Sequence, residues 1–428
     1  MKKPTLLKMN KHISYKLDQL FVEDVAVSEI TSNLRTPFYV YSRTSIKDNF
    51  DRFTRSLKGL DSIICYSVKA NSNLSVLETI AKLRGGADVV SLGEYHRALK
   101  AGIDQKRIVF SGVGKQDFEI AEALKSSLLQ FNIESVSELE SINKIAVSLN
   151  KQAPIAFRVN PDIDAGTHEN ISTGKADNKF GIPIDKAKEV YQYANKLEKI
   201  KIVGIDVHIG SQISNLNAFR QTFEHLAKLI DELKNINIHL ENIDIGGGLG
   251  IKYTDEDLEP DLQEYSALVK KILGHLNCRI IFEPGRYIVG NCGILVTKVL
   301  YKKTSQNKNF LITDAGMNDF SRTALYGATH KLIPLYKKKS GKTGIFDVVG
   351  PVCESTDTFL KNYLVEGAET GDFLAFLDVG AYGAVLSSEY NTSPLVPEIM
   401  VYNKRYELVR SRPSYEEIFD RETMPNWE

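Results

Sequence analysis

Between residues 60 and 285 the chain alternates short apolar, β-branched runs with stretches of helical periodicity. The runs read as strands: "SIICYSVKA" (62–70), "GADVVS" (86–91), "RIVFSGV" (107–113), "LLQFNIES" (128–135), "PIAFRVNP" (154–161), "VGIDVHIGS" (203–211), "ENIDIGGG" (241–248) and "RIIFEPG" (279–285). Helical spacing of apolar residues occupies Glu94–Ala101, Phe118–Lys125, Glu138–Leu149, Pro183–Lys196, Phe219–Lys234 and Leu262–Leu276. Eight strands, each but the last followed by a crossover, is the count of a (β/α)8 barrel. An open doubly wound sheet alternates in the same way. The eight equivalent units and the lack of an early GxGxxG turn favour the barrel.

The pattern changes after Pro284. "CGILVTKVLYKK", "NFLITDAGM", "FDVVGPVC", "DFLAFLDVGAYG" and "PEIMVYNKRYELVR" read as strands separated by turns, with little helix between them. The expected architecture is an α/β TIM-type barrel followed by a β-rich domain of barrel or sandwich type. Residues 1–36 are expected to pack with the C-terminal β domain, 37–285 to form the barrel and 286–428 the β domain.

Composition narrows the setting. The 428 residues are 43% hydrophobic and 25% charged, as in an ordinary globular protein. Lys plus Arg balance Asp plus Glu at 54 each, so no overall field favours nucleic acid or an anionic membrane. The lysine cluster "YKKKSGKTG" (Tyr336 to Gly344) reads as a solvated loop. Cys65, Cys278, Cys292 and Cys353 show neither CxxC nor zinc spacing; this predicts no metal site and a reducing cytoplasm. The basic start "MKKPTLLKMNKHISYK" is followed by no apolar signal core, and no apolar run approaches the ~20 residues of a spanning helix.

Barrel chemistry collects at the carboxyl ends of the strands. Here those ends carry Lys69, Asp88, Ser111, Glu134, Arg158, Asn160, His208, Ser211, Gly246 to Gly248, Glu283 and Arg286. A strand-end lysine can snorkel to the rim, or it can be a Schiff-base amine kept partly neutral by desolvation. "DIGGGLGIKY" (244–253) places three glycines where a helix start would bind phosphate, and "EPGR" (283–286) adds a glycine and an arginine on the next loop. Glu283 can meet a structural arginine or a protonated pyridine nitrogen. His208 in "HIGSQI" can be a structural histidine or stack on a planar ring, with Ser211 donating to phosphate. A lysine, a phosphate cup, a carboxylate and a histidine together describe a pyridoxal 5′-phosphate site.

The chain resembles the fold-type III pyridoxal-phosphate decarboxylases, and among them the branch acting on diaminopimelate. The resemblance rests on "YSVKANSN", "GADVVSLGE", "FSGVGK", "NIESVSELE", "RVNPDIDAGTHENISTGKADNKFGI", "VHIGSQI", "DIGGGLGI", "EPGRYIVG", "VVGPVCESTD" and "GAYGAVLSSEYN". It implies that Lys69 binds the cofactor aldehyde. Gly247, Gly248 and the turn Glu283, Pro284, Gly285, Arg286 would hold the cofactor together with Asp88, His208, Ser211 and Tyr382. It also implies a homodimer with shared sites, in which Cys353 of one subunit protonates the substrate carbon in the other. Arg286, Arg322, Tyr326, Glu354 and Tyr382 would bind the substrate. The second head group of diaminopimelate offers a carboxylate for arginines and an ammonium for Glu354.

The usual "RPALYDAYH", "CESGD" and "NSRP" of that family read "RTALYGATH", "CESTD" and "NTSP" here, which bears on fine specificity. A sister decarboxylase of ornithine, arginine or lysine would need no grip on a distal carboxylate, yet Arg322, Tyr326 and Glu354 are present. A racemase of the alanine-racemase type would want a tyrosine base in place of "CES". A non-catalytic regulator derived from such an enzyme would lose cofactor contacts, and Lys69, His208, Glu283 and Cys353 are retained.

Overall fold

The computed structural model describes residues 9–163, 179–338 and 343–427. The centre of the "RVNPD…NKFGI" block and part of the lysine cluster lie outside them. The chain divides into two compact units, Ile46–Lys252 with Asp257–Ile288, and Met1–Ser45 with Tyr253–Glu256 and Val289–Glu428.

The first unit is a closed parallel barrel of eight strands: β1 (Ser62–Ser67), β2 (Gly86–Val89), β3 (Ile108–Phe110), β4 (Gln130–Ile133), β5 (Ala153–Asn160), β6 (Ile200–Asp206), β7 (Asn242–Asp244) and β8 (Arg279–Phe282). Closure is made by β8 on β1, with Ile281 opposite Ile63, and each remaining strand pairs with its neighbours in order. Every predicted strand is present, but most stop two to five residues short of their predicted carboxyl ends. Lys69, Ser111, His208 and Glu283 therefore sit in the first residues after the strands.

Alternation along each strand decides what fills the barrel. Ile63, Cys65, Val109 and Ile281 cluster as an apolar layer. Two residues further along the same faces stand Ser67, Ser111 and Glu283. Outside, aromatic residues pack between strands and helices, as in the Phe157–Tyr191 and Phe282–Tyr265 edge contacts. Helix Leu216–Lys234 buries Phe219, Phe223, Leu226, Ile230 and Leu233 at three- and four-residue spacing. Ser91 and Ser135 cap helices Leu92–Lys100 and Val136–Ser148 by accepting the N–H of Glu94 and Glu138. Each such cap is worth about 1 kcal/mol. No helix among the described residues is long and apolar enough to cross a membrane.

In the second unit the strands run in the order Thr358–Glu366, Thr343–Val349, Asn309–Thr313, Gly293–Thr304, Phe38–Ser42, Glu398–Tyr402 and Arg405–Arg410; Phe373–Phe376 also pairs with Gly293–Thr304. Its core takes alternate residues from neighbouring strands: Phe38 and Val40, Ile294 and Val296, Ile399 and Val401. A small antiparallel meander, Ile13–Lys16, Gln19–Val22 and Val25–Ala26, adds Ile13, Leu20, Val22 and Val25 to that cluster.

One local expectation is corrected. The glycine triplet after β7 starts no helix: Gly246 and Gly248 take left-handed φ of +63° and +95°, and the next helix begins at Leu262. The loop itself, rather than a helix N-terminus, is what the triplet builds.

Candidate active site

Lys69 lies in the single 3-10 turn, Val68–Ala70, that ends β1, and Asn73 caps the following helix by accepting the Ser75 N–H at 2.9 Å. Its Nζ donates to Asp88 Oδ2 at 2.8 Å, and Ser67 Oγ donates to the same oxygen at 2.8 Å. Asp88 is fully buried while the lysine side chain is 38% exposed, so the amine faces the open end of a fixed carboxylate. Burial pushes the Asp88 carboxyl up, but the Lys69 charge and hydrogen bonds from Lys69, Ser67 and Ser111 outweigh it, and the net shift is downward.

Three loops meet around this turn. The Glu283–Arg286 turn packs on it: a Cβ on Gly285 would lie 2.9 Å from Ala70 Cβ and 3.0 Å from Ser67 Cβ. Ser67 N–H donates to the Pro284 carbonyl at 3.3 Å. The glycine loop lies against the same turn, since a Cβ on Gly247 would come within 2.3 Å of the Glu283 carbonyl oxygen. The His208 loop is tied to the glycine loop by Ile213 N–H donating to Gly248 O at 2.9 Å. Arg286, which is buried, donates from Nη2 to Ser211 Oγ at 3.1 Å, so guanidinium, hydroxyl and glycine loop share one neighbourhood.

His208 is held from two sides. Gly247 N–H donates to its Nδ1 at 3.3 Å, which assigns the proton of the neutral ring to Nε2. Arg158 Nη2 donates to the His208 carbonyl at 3.3 Å, and Arg158 Nη1 meets Glu134 Oε1 at 3.3 Å. Burial, then the charges of Arg158 and Lys69, pushes the imidazole down to about 3. It is a neutral ring at physiological pH.

Glu283 is 6% exposed and its Oε1 receives no hydrogen bond from the described residues. Burial, then the neighbouring carboxylates, pushes it well above the usual range. A buried carboxyl of this kind accepts a cationic N–H, and the glycine loop packs so closely on the His208 loop and the Glu283 turn that no side chain could stand at Gly246, Gly247 or Gly248. Together with the Lys69 amine and the Arg286–Ser211 pair, these are the features that pyridoxal phosphate requires, and the barrel residues fit that group. The sequence reading missed Asp206 and Asp244, which end β6 and β7, and Gln130 and Asn132 on β4. Their signal was a polar residue at alternate positions of otherwise apolar strands.

In the second unit, Cys353 and Glu354 are exposed on the turn that follows Val352. Tyr390 Oη donates to Glu354 Oε1 at 2.8 Å. Buried Asp357 accepts the N–H of Val352 and of Met317, both at 2.7 Å, and so fixes the base of that turn. Neither Tyr390 nor Asp357 was singled out from sequence. Arg322 is buried with its guanidinium 5.3 Å from the Tyr253 ring centre. Tyr326 ends the short helix Arg322–Tyr326, closed by Gly327 at φ +60°, a conformation that suits the glycine of "RTALYGATH". Tyr382 is partly buried and takes φ +55°.

Fold and site define a pyridoxal-dependent decarboxylase, and residues 43–290 match the family "Pyridoxal-dependent decarboxylase, pyridoxal binding domain". The chain is 43% identical over 415 residues to the diaminopimelate decarboxylase of Aquifex aeolicus, covering 97% of this chain and 98% of that one. It is 45% identical to the enzyme of Vibrio cholerae, covering 96% and 99%. The crystal structure of diaminopimelate decarboxylase from Helicobacter pylori complexed with L-lysine superposes with a TM-score of 0.89 at 43% identity, covering 92% of this chain and 98% of that one. The chain belongs to the diaminopimelate decarboxylase family.

Proposed function

We propose that the protein decarboxylates meso-2,6-diaminopimelate to L-lysine and carbon dioxide, the last step of lysine biosynthesis, with pyridoxal 5′-phosphate as cofactor. The observation that carries this reading is the Lys69 amine on Asp88, set in one barrel mouth with Glu283, His208 and the Arg286–Ser211 pair. When bound, the cofactor supplies an electron sink for the pair left by the departing carboxylate.

The protein residues do the rest. Lys69 would hold the cofactor through its aldehyde, and Asp88 holds the Lys69 amine in place. Glu283 would meet the ring nitrogen and neutral His208 would stack on the ring. Ser211, Gly247, Gly248, Pro284, Gly285 and Arg286 would hold the phosphate end, with Tyr382 also at the cofactor. Arg286, Arg322, Tyr326, Glu354 and Tyr382 select the substrate: arginines grip its distal carboxylate and Glu354 its ammonium. Cys353, exposed on the second unit, delivers a proton to the substrate carbon. We read the enzyme as a cytoplasmic homodimer in which Cys353 serves the partner's barrel; the four free cysteines suit a reducing compartment.

The test is Lys69→Ala, assayed by carbon dioxide release from meso-diaminopimelate with added cofactor. Turnover should fall at least about 1,000-fold. Near wild-type turnover sinks the assignment. Parallel assays with lysine and ornithine separate this activity from its sister decarboxylases: release from either at a rate matching diaminopimelate would favour the sister reading.

A further inference from the structure

Three carboxyl groups converge inside the barrel unit. Asp206 ends β6, Asp244 ends β7 and Glu283 follows β8; one oxygen of each lies within 4.8 Å of the others. They are 2%, 0% and 6% exposed. The hydrogen-bond donors around them are unevenly shared. Asp244 Oδ1 accepts the Gly246 N–H at 3.0 Å, and its Oδ2 accepts Asn132 Nδ2–H at 3.1 Å. Asn132 is held in turn by Gln130 Nε2 at 2.8 Å, and Gln130 by Asn242 at 3.0 Å. Asp206 Oδ1 and Glu283 Oε1 receive no such donor.

The surrounding charges leave the cluster acidic. Lys69 and Asp88 face it from the ends of β1 and β2, Glu134 and Arg158 from β4 and β5, His208 from the β6 loop, and the Cys65 thiol from β1. The Lys69 amine is already paired with Asp88, and Arg158 with Glu134. Three carboxylates this close, out of water, cannot all carry charge. Burial, then repulsion from Asp244, pushes Asp206 and Glu283 well up, whereas burial raises Asp244 only to about 7 because hydrogen bonds from Gly246, Asn132 and Glu283 oppose it.

We propose that Asp206 and Asp244 are positioning residues that make the trio a proton store: Asp244 holds the carboxylate, Asp206 stays a neutral acid, and Glu283 carries the proton destined for the cofactor ring. The donors decide the division, because Asp244 alone has two N–H groups that stabilise an anion. On cofactor binding the Glu283 O–H bond breaks, its electron pair stays on Glu283 as carboxylate, and an N–H bond forms at the ring nitrogen. No solvent proton is needed. The neighbouring Asp244 charge then favours the protonated ring. Only this last transfer rests on the proposed cofactor chemistry.

The first experiment uses cofactor-free protein and follows melting temperature against pH for wild type and Asp206→Asn. A carboxyl whose folded pKa is raised contributes stability that is full below its unfolded value of about 4 and is lost as pH rises towards the folded value. Asparagine carries no such loss. Asp206→Asn should therefore gain on wild type by about 3 °C or more between about pH 5 and pH 8, whatever constant offset the substitution brings. Parallel curves, or a variant that falls further behind as pH rises, overturn the proposal. The second experiment loads wild type and Asp244→Asn with nitrogen-15-labelled pyridoxal phosphate and reads the ring-nitrogen shift. The variant should move towards the unprotonated position, and an unchanged shift overturns the role of Asp244. Failure of wild type to bind the cofactor would instead defeat the decarboxylase reading, and would leave the melting result standing.

Discussion

The two units hold their candidate groups in opposite ways. In the barrel unit Lys69 is fixed by Asp88, His208 by Gly247 and Arg158, and Ser211 by Arg286. In the second unit Cys353 and Glu354 stand exposed on a turn, and Glu354 is steadied by one tyrosine hydroxyl. A cofactor that stays bound rewards preorganisation, because protonation state and ring orientation are set once and used at every turnover. A substrate with two charged head groups must shed water at each binding, and exposed carboxylates exchange water readily.

If that contrast is right, the most damaging change is to the barrel side. Glu283→Gln keeps the shape and removes the acid. It should lower kcat for diaminopimelate about 100-fold or more while moving KM less than about threefold. Initial rates of carbon dioxide release decide it. A kcat within about tenfold of wild type would mean that the fixed barrel groups are not where the rate is set.

The same contrast explains what could be read from sequence. The barrel strands were legible because strands buried on both faces are near-continuous β-branched runs. Lys69, His208, Ser211, Glu283 and Arg286 were legible because polar residues at strand ends break those runs, and the structure does bring them together. Asp206 and Asp244 were not, because the predicted runs 203–211 and 241–248 continue past them and hide the strand ends they mark, and Asn132 lies inside its strand. The glycine triplet misled for a different reason: glycine marks both a helix start and a left-handed loop, and the strand-adjacent close approach at Gly247 favours the loop. In the second unit, strand Thr358–Glu366 went unread because "TFLKNYLVE" has polar residues at its centre. Tyr390 reaches Glu354 across 36 residues and Asp357 reaches Met317 across 40, contacts that no local pattern reports.

A smaller effect is expected on the exposed side. Glu354→Gln removes the proposed ammonium contact and should raise KM for diaminopimelate about tenfold with kcat changed far less. Loss of kcat without a change in KM would move Glu354 out of recognition and into chemistry, and would erase the division of labour between the units.

The mildest change probes how much order the exposed side has. Tyr390 donates to Glu354 Oε1 at 2.8 Å, and that hydrogen bond, more than the neighbouring charge, holds the Tyr390 phenol above its ordinary value. Tyr390→Phe deletes the donor and leaves the ring, so the Glu354 carboxylate regains its freedom to turn. An exposed hydrogen bond is screened by water, so the rise in KM should be only about twofold to fivefold. Combining Tyr390→Phe with Glu354→Gln gives the decisive measurement. If the hydroxyl works by aiming the carboxylate, the double variant should match Glu354→Gln alone, because there is no longer a charge to aim. Additive losses in KM would show that Tyr390 meets the substrate itself, and the turn would then hold one more recognition group than Glu354.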